Sequence, residues 1–277
     1  MIDIHMHIGR LYHTMKEPFT ADDALRFMDT NGIEKACLLP IENPEETDYY
    51  VTTDQILQEA ERQPDRFIPF CNVDPRRRSA DLSTDFFGMI REYRDRGCRG
   101  FGEVLAGLYV DDPRLQAIYE ACGELGLPIV FHLDALRCID EKGLPRFEAM
   151  VRRFPGTTFI GHGQHFWAEV SADMKPEEMG IYPGGPVERV GPTERLLAEC
   201  PNLYGDLSAG SGYNAVTRDP EFGRWFLEKY QDKLLFGTDK LKEDQETPII
   251  EHLRTVGLPQ DAYEKIARRN AENLLGE

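Results

Sequence analysis

Histidine is the side chain best suited to bind a metal or move a proton near neutral pH, and this chain has seven. Two of them stand at the N-terminus, in Met1-Ile2-Asp3-Ile4-His5-Met6-His7-Ile8. Apolar Ile2, Ile4, Met6 and Ile8 alternate with Asp3, His5 and His7, a period of two that predicts a strand with both histidines on one face. Neutral imidazoles at i and i+2 can grip one divalent ion together. A pair of surface histidines on an edge strand would have the same spacing, so the metal reading needs more donors. His132 ends the apolar run from Pro128, and His162 ends the run from Thr157. Glu103 lies in Gly100-Phe101-Gly102-Glu103-Val104, and Asp239 ends Leu234-Leu235-Phe236-Gly237-Thr238-Asp239. One buried histidine is usually a satisfied core residue. Four at strand ends, with an aspartate, predict a metal site.

Such donors can meet only if the strands that carry them converge. Six further apolar runs read as strands: 35–40, 67–73, 98–104, 128–132, 157–162 and 202–207, with 233–239 as the eighth strand of the chain. Helical stretches are predicted at 20–28, 53–63, 81–94, 113–125, 144–154, 193–199, 221–231, 247–256 and 259–271. Thr20 with Asp23 is a capping pair, and Asn31-Gly32 and Gly126 are stop signals. Continuous apolar strands alternating with helices imply a parallel sheet covered on both faces. Eight such units in 277 residues fit a closed (β/α)8 barrel, with a doubly wound open sheet as the alternative. The barrel is favoured because only closure brings strands one, five, six and eight to one centre. A single domain over 1–277 is the expectation.

Composition narrows the function. Hydrophobic content of 41% supports a sizeable core. The net charge of -17 argues against nucleic acid as a partner. No apolar run reaches about 18 residues, so no membrane span is expected. Without a basic, then apolar, N-terminus, a cytoplasmic location is expected. The six cysteines are dispersed without a C-x-x-C pair and read as buried free thiols. A homodimer is left open.

The arrangement His5-x-His7, His132, His162 and Asp239 resembles the amidohydrolase superfamily, and so does the ending Arg269-Asn270-Ala271-Glu272-Asn273-Leu274-Leu275-Gly276. The resemblance covers essentially the whole chain. Its nearest branch is the amidohydrolase-related, single-domain metal-dependent hydrolases, which also contain decarboxylases of the aminocarboxymuconate semialdehyde type. It implies a TIM barrel with one or two divalent ions, zinc being expected. A similar Gly-Glu in TatD-type nucleases bridges two metals. If Glu103 does the same, His5, His7 and Asp239 surround one ion and His132 and His162 the other. If Glu103 instead pairs with an arginine or holds a histidine, one zinc with His5, His7, His132 and Asp239 is implied, leaving His162 to act on substrate.

A bound divalent metal lowers the pKa of its water and polarises a substrate oxygen. Asp239 would accept and pass on the proton, and His162 or His132 would stabilise an oxyanion. The expected function is metal-dependent hydrolysis of a small amide, ester or lactone. The alternative is a non-oxidative decarboxylase acting on a carboxylate, with protonation at carbon in place of water attack. A TatD-type phosphodiesterase is disfavoured by the charge, and a non-catalytic barrel would leave the ligand set without purpose.

Other residues are candidates by position. The long interval 163–191 follows a ligand strand and is expected to wall the pocket through His165, Phe166 and Trp167. Asp206 and Ser208 would lie on the same rim. Arg10, Tyr12, His13 and Arg137 could meet an anionic substrate, with surface ion pairing as the alternative for both arginines. His252, on a late helix, is not expected to take part.

Overall fold

The structure is a computed structural model, and it describes residues 1–77 and 83–276. In chain order the elements are β1 (Ile2–Met6), α1 (Ala21–Asn31), β2 (Lys35–Leu38), α2 (Thr53–Arg62), β3 (Phe67–Cys71) and α3 (Phe86–Asp95). Then come β4 (Gly100–Val104), β5 (Leu108–Tyr109), α4 (Pro113–Leu125), β6 (Ile129–His132), β7 (Cys138–Ile139), α5 (Pro145–Arg153), β8 (Phe159–His162) and α6 (Gln164–Ala168). The chain finishes with α7 (Pro192–Glu199), β9 (Leu203–Asp206), α8 (Ala209–Thr217), α9 (Pro220–Lys229), β10 (Leu234–Leu235), α10 (Ile249–Thr255), α11 (Gln260–Glu264) and α12 (Asn270–Leu275).

Eight strands form one parallel sheet in the order β1-β2-β3-β4-β6-β8-β9-β10. The segment after β10, from Phe236 to Lys240, runs beside β1 and closes the sheet. Phe236 O accepts from Ile4 N at 2.9 Å, His5 O accepts from Asp239 N at 2.8 Å, and Lys240 O accepts from His7 N at 2.9 Å. The expected (β/α)8 barrel is therefore the fold. Local signals act as the sequence reading anticipated: Thr20 and Asp23 form a capping box on α1, and Gly32 ends it at φ 65°. No helix among the described residues is long and apolar enough to cross a membrane. All six cysteines are buried, and none is in a disulfide.

Two apolar clusters divide the core. Phe101, Phe131, Phe159, Leu203 and Leu234 belong to the larger one, where the strands meet the helices. Ile2, Ile4, Ile68, Phe70, Val130, Ile160 and Leu235 form the smaller one inside the barrel, joined by Ala271 and Leu275 of α12. Each such side chain contributes on the order of 1.5–3 kcal/mol when fully buried. Val130 and Ile160 lie two residues before His132 and His162. Successive side chains in a strand alternate, so both histidines point into the lumen above this apolar floor.

Several boundaries differ from the sequence reading. The ladder between β1 and β2 shifts register between Asp3 and Met6. Ile2 and Ile4 therefore pack in the inner cluster while Met6 and Ile8 pack in the outer one, and one unbroken alternation does not describe the strand. Asp3 stabilises the irregularity by accepting from His5 N at 3.1 Å and Thr238 N at 3.0 Å. The regular part of the last strand is only Leu234–Leu235, because Asp239 turns to φ 54°. The small-residue stretch after β9, where no helix was expected, is the helix α8. The start expected for α3 at Asp81 lies outside the described residues, and the helix is seen from Phe86, capped by Asp85. Strands β5 and β7 form a two-stranded parallel sheet that the sequence did not reveal.

Candidate metal centre

His5 and His7 leave the β1 irregularity with their Nε2 atoms 3.0 Å apart. Each Nδ1 faces an acceptor: Asp206 Oδ2 at 2.7 Å for His5, and the Leu39 carbonyl at 2.9 Å for His7. An Nδ1 that donates leaves Nε2 with a lone pair in the neutral ring. Two lone pairs about 3.0 Å apart suit neighbouring ligands of one ion held at about 2.1 Å. Two carboxylates complete the group. Glu103 Oε2 lies 3.4 Å from His5 Nε2 and 3.5 Å from His7 Nε2, and Asp239 Oδ1 lies 3.7 and 3.4 Å from the same atoms.

The other Glu103 oxygen serves the opposite side. Oε1 lies 2.7 Å from His132 Nδ1 and 3.5 Å from His162 Nε2. His162 is fully buried, and its Nε2 has no hydrogen-bond partner. Its Nδ1 contacts Ser208 Oγ at 3.0 Å and Asp206 Oδ2 at 3.2 Å, so the ring is held from behind with a free nitrogen directed at the cluster. An unpartnered buried nitrogen beside carboxylates, together with the paired Nε2 atoms, fits a divalent cation. His5, His7 and Glu103 form one set of converging donors, and Glu103, His132 and His162 another.

The structure thus brings together all six residues singled out: His5, His7, Glu103, His132, His162 and Asp239. The cluster opens beside His132 and Asp239, whose side chains are 13% and 18% exposed while His5 and His162 are at 0% and 1%. Burial alone would lower the pKa values of His7 and His132, but the carboxylates outweigh it. Asp239 and Glu103 raise His7 to about 9, and Glu103 and Asp134 raise His132 to about 10. Burial pushes the Asp206 carboxyl up, but bonds from His162 and His5 win and hold it below the usual range.

Asp206 and Ser208, expected on the rim, grip His5 and His162 from beneath. Trp167 does not face the pocket: its Nε1 donates to the Asp206 carbonyl at 2.8 Å. His165 and Phe166 are likewise buried away from the opening, because the segment after β8 winds into α6 and turns them inward. The residue of that helix that does reach the site is Gln164, whose Oε1 lies 3.1 Å from His132 Nε2. Gly163 permits this turn at φ 95°, since a Cβ there would stand 2.6 Å from the Leu133 carbonyl. Two buried asparagines also escaped the sequence reading. Asn72 donates to the Glu103 carbonyl at 2.7 Å, and Asn43 Oδ1 accepts from Leu105 N at 3.1 Å. Asparagines just beyond strands two and three were the available signal.

The proposed anion receptors are engaged elsewhere. Arg137 pairs with Glu46 and Asp134, and the Tyr12 hydroxyl also donates to Glu46. Arg10 lies over the Tyr49 ring and donates to the His13 carbonyl. His13 is exposed and paired with Asp48, and His252 sits on α10 against the Tyr213 ring.

A parallel eight-stranded barrel with a histidine–carboxylate cluster at the C-terminal strand ends defines a metal-dependent enzyme. The amidohydrolase family model matches residues 2–276, and the chain belongs to that family. No curated protein matches it in sequence. Among solved structures, it is similar to an uncharacterised TIM-barrel protein, Bb4693, of Bordetella bronchiseptica, with TM-score 0.70, 19% identity, and 100% and 99% of the two chains covered. A probable 2-pyrone-4,6-dicarboxylic acid hydrolase of Acinetobacter baumannii, with citric acid bound, gives TM-score 0.68 and 14% identity, covering 100% and 99%. A dihydroxybenzoic acid decarboxylase of Polaromonas sp. JS666, with manganese and 2-nitroresorcinol, gives TM-score 0.61 and 16% identity, covering 99% and 96%.

Proposed function

We propose that this protein is a divalent-metal-dependent decarboxylase of a small, planar carboxylic acid. The observation that carries the reading is His132. It lies between two acidic partners, Glu103 Oε1 at 2.7 Å and Asp134 Oδ2 at 3.5 Å, and it stands at the open edge of the cluster. Non-oxidative decarboxylation ends in protonation at carbon, and an imidazolium at the opening is the donor that step requires. Similarity to 2,6-dihydroxybenzoate and 5-carboxyvanillate decarboxylases supports the same class. Manganese accompanies two of those neighbours, so it stands beside zinc as the metal to test.

When bound, the ion supplies positive charge that orients the substrate carboxylate and draws electron density from the breaking bond. His5, His7, His162, Glu103 and Asp239 would hold it. Asp239 stays ionised, because the histidines outweigh the cost of its burial. This exchanges the roles of two histidines in the one-metal arrangement expected from the sequence. There His132 was a ligand and His162 was free. Here His162 has the unpartnered nitrogen, and His132 has both nitrogens engaged.

Hydrolysis of a lactone or ester is the second reading, and Glu103 favours it. One of its oxygens faces His5 and His7 and the other faces His132 and His162, an arrangement that suits two ions. His132 would then be a ligand and not an acid. One experiment separates the two. The manganese-loaded protein is incubated in D2O with 2,6-dihydroxybenzoate, 5-carboxyvanillate or a pyrone lactone, and CO2, ring deuterium and lactone opening are measured with the metal content. Release of CO2 with one deuterium gained per ring, at one ion per chain, is the expected result. Intact acids, opened lactones and two ions per chain would establish hydrolysis instead.

A further inference from the structure

We propose that Tyr182 selects planar aromatic acids over aliphatic ones by forming the wall of the entrance; the assignment rests on the reading above. Tyr182 belongs to the long segment between β8 and α7. That segment is pinned at its neck, where Ser171 bridges Val190 and Gly191 N donates to the Val170 carbonyl at 2.9 Å. Its far part folds back so that the Tyr182 ring lies on Gly210, near the start of α8. A Cβ on Gly210 would stand 2.8–2.9 Å from the ring and its hydroxyl, so bare backbone is what lets the ring lie there.

The same end of the ring has a second neighbour. The hydroxyl meets the Gln164 side chain, and Gln164 Oε1 lies 3.1 Å from His132 Nε2. Tyr182 therefore spans two strand-end segments beside His132, and it is near enough to Asp239 to feel its charge. Those are the two residues at the open edge of the cluster. The ring is nevertheless 50% exposed. A fixed ring with an uncovered surface offers a second ring an offset or edge contact at little cost in order. Arg10 and Arg137 are occupied by other partners, and the uncovered Tyr182 ring offers a neutral contact to the part of the substrate beyond its carboxylate.

The test uses the full-length, manganese-loaded protein and two probes, 2,6-dihydroxybenzoate and citrate, titrated calorimetrically. Tyr182→Ala should weaken dihydroxybenzoate about 3–10-fold, the range for one aromatic contact, and leave citrate within about 2-fold. Tyr182→Phe keeps the ring and should keep the preference. Gly210→Ala displaces the ring and should behave like Tyr182→Ala, with metal content unchanged throughout. Equal weakening of both probes, no weakening, or a Tyr182→Phe loss as large as that of Tyr182→Ala would overturn the assignment, as would failure of the wild type to hold the aromatic acid at all. If the wild type binds dihydroxybenzoate but releases no CO2, decarboxylation falls while the binding ratio still decides the role of Tyr182.

Discussion

The two halves of the barrel lumen are built from the same strands and follow opposite rules. Below, Ile4, Phe70, Val130, Ile160 and Leu235 pack against one another and against α12. Above, one or two residues further along, His5, His132, His162 and Asp206 crowd into an equally buried space with Glu103 and Asp239. The lower half gains stability by removing apolar surface from water. The upper half gathers ionisable groups that are satisfied only by each other or by a cation. The floor holds the strands rigid, so that the upper groups can be kept close together despite their mutual cost.

The largest effect should come from above. Asp239→Asn keeps size and one acceptor oxygen but removes the charge. Turnover of any acid the wild type converts should fall by about 10²–10⁴-fold, with the melting temperature nearly unchanged. Initial rates and a thermal melt on one preparation check this. A destabilised variant with full activity per folded molecule would reverse the division of labour between the halves.

Phe70→Ala is the complementary change below. Its ring lies against Gly100, where a Cβ would stand 2.3 Å away, and truncation should cost about 3–5 kcal/mol in denaturant unfolding. The rate per folded molecule should hold. The boundary itself is Gly237: a Cβ there would meet Asp206 Oδ1 at 2.5 Å and Ile4 Cγ2 at 3.1 Å. Gly237→Ala should cost about 1–3 kcal/mol by overpacking and also weaken metal binding, because it displaces the carboxylate that orients His5 and His162. Unfolding and metal content measured together would show whether the halves are coupled there.

The smallest effect is a slope with pH. The His7 pKa is raised from 6.5 to about 9, because Asp239 and Glu103 outweigh burial. Stability from the protonated ring is complete below about 6.5 and is lost as pH rises through about 9. A metal ion needs the unprotonated nitrogen. The rise in melting temperature on adding saturating Mn²⁺ should therefore grow between pH 6.5 and 9. A rise that shrinks over that interval would mean that His7 does not exchange a proton for the ion.

Much of this arrangement was legible in the chain. Strand-terminal His132 and His162, the N-terminal histidine pair and Asp239 announced themselves, because an apolar run that ends in a ligand-type residue must deliver it to one end of a sheet. Glu103 was legible by position, and it lies between the two groups of histidines. The capping box at Thr20, the buried thiols and the barrel followed from local pattern and strand count. Tertiary structure decided what contact order hides. The register shift in β1 depends on Asp3 meeting Thr238, 235 residues away. Gln164 turned toward the site, and Trp167 away from it, because α6 begins directly after Gly163. Asn72 reached the Glu103 backbone, and Asp206 the backs of two histidines, because barrel closure made neighbours of distant strands. The period of a sequence sets which face a side chain takes in a regular strand, as in β6 and β8, but not across the irregularity of β1. Which partner it finds across the lumen is set by closure, register and turn geometry, and these exist only once the chain has folded.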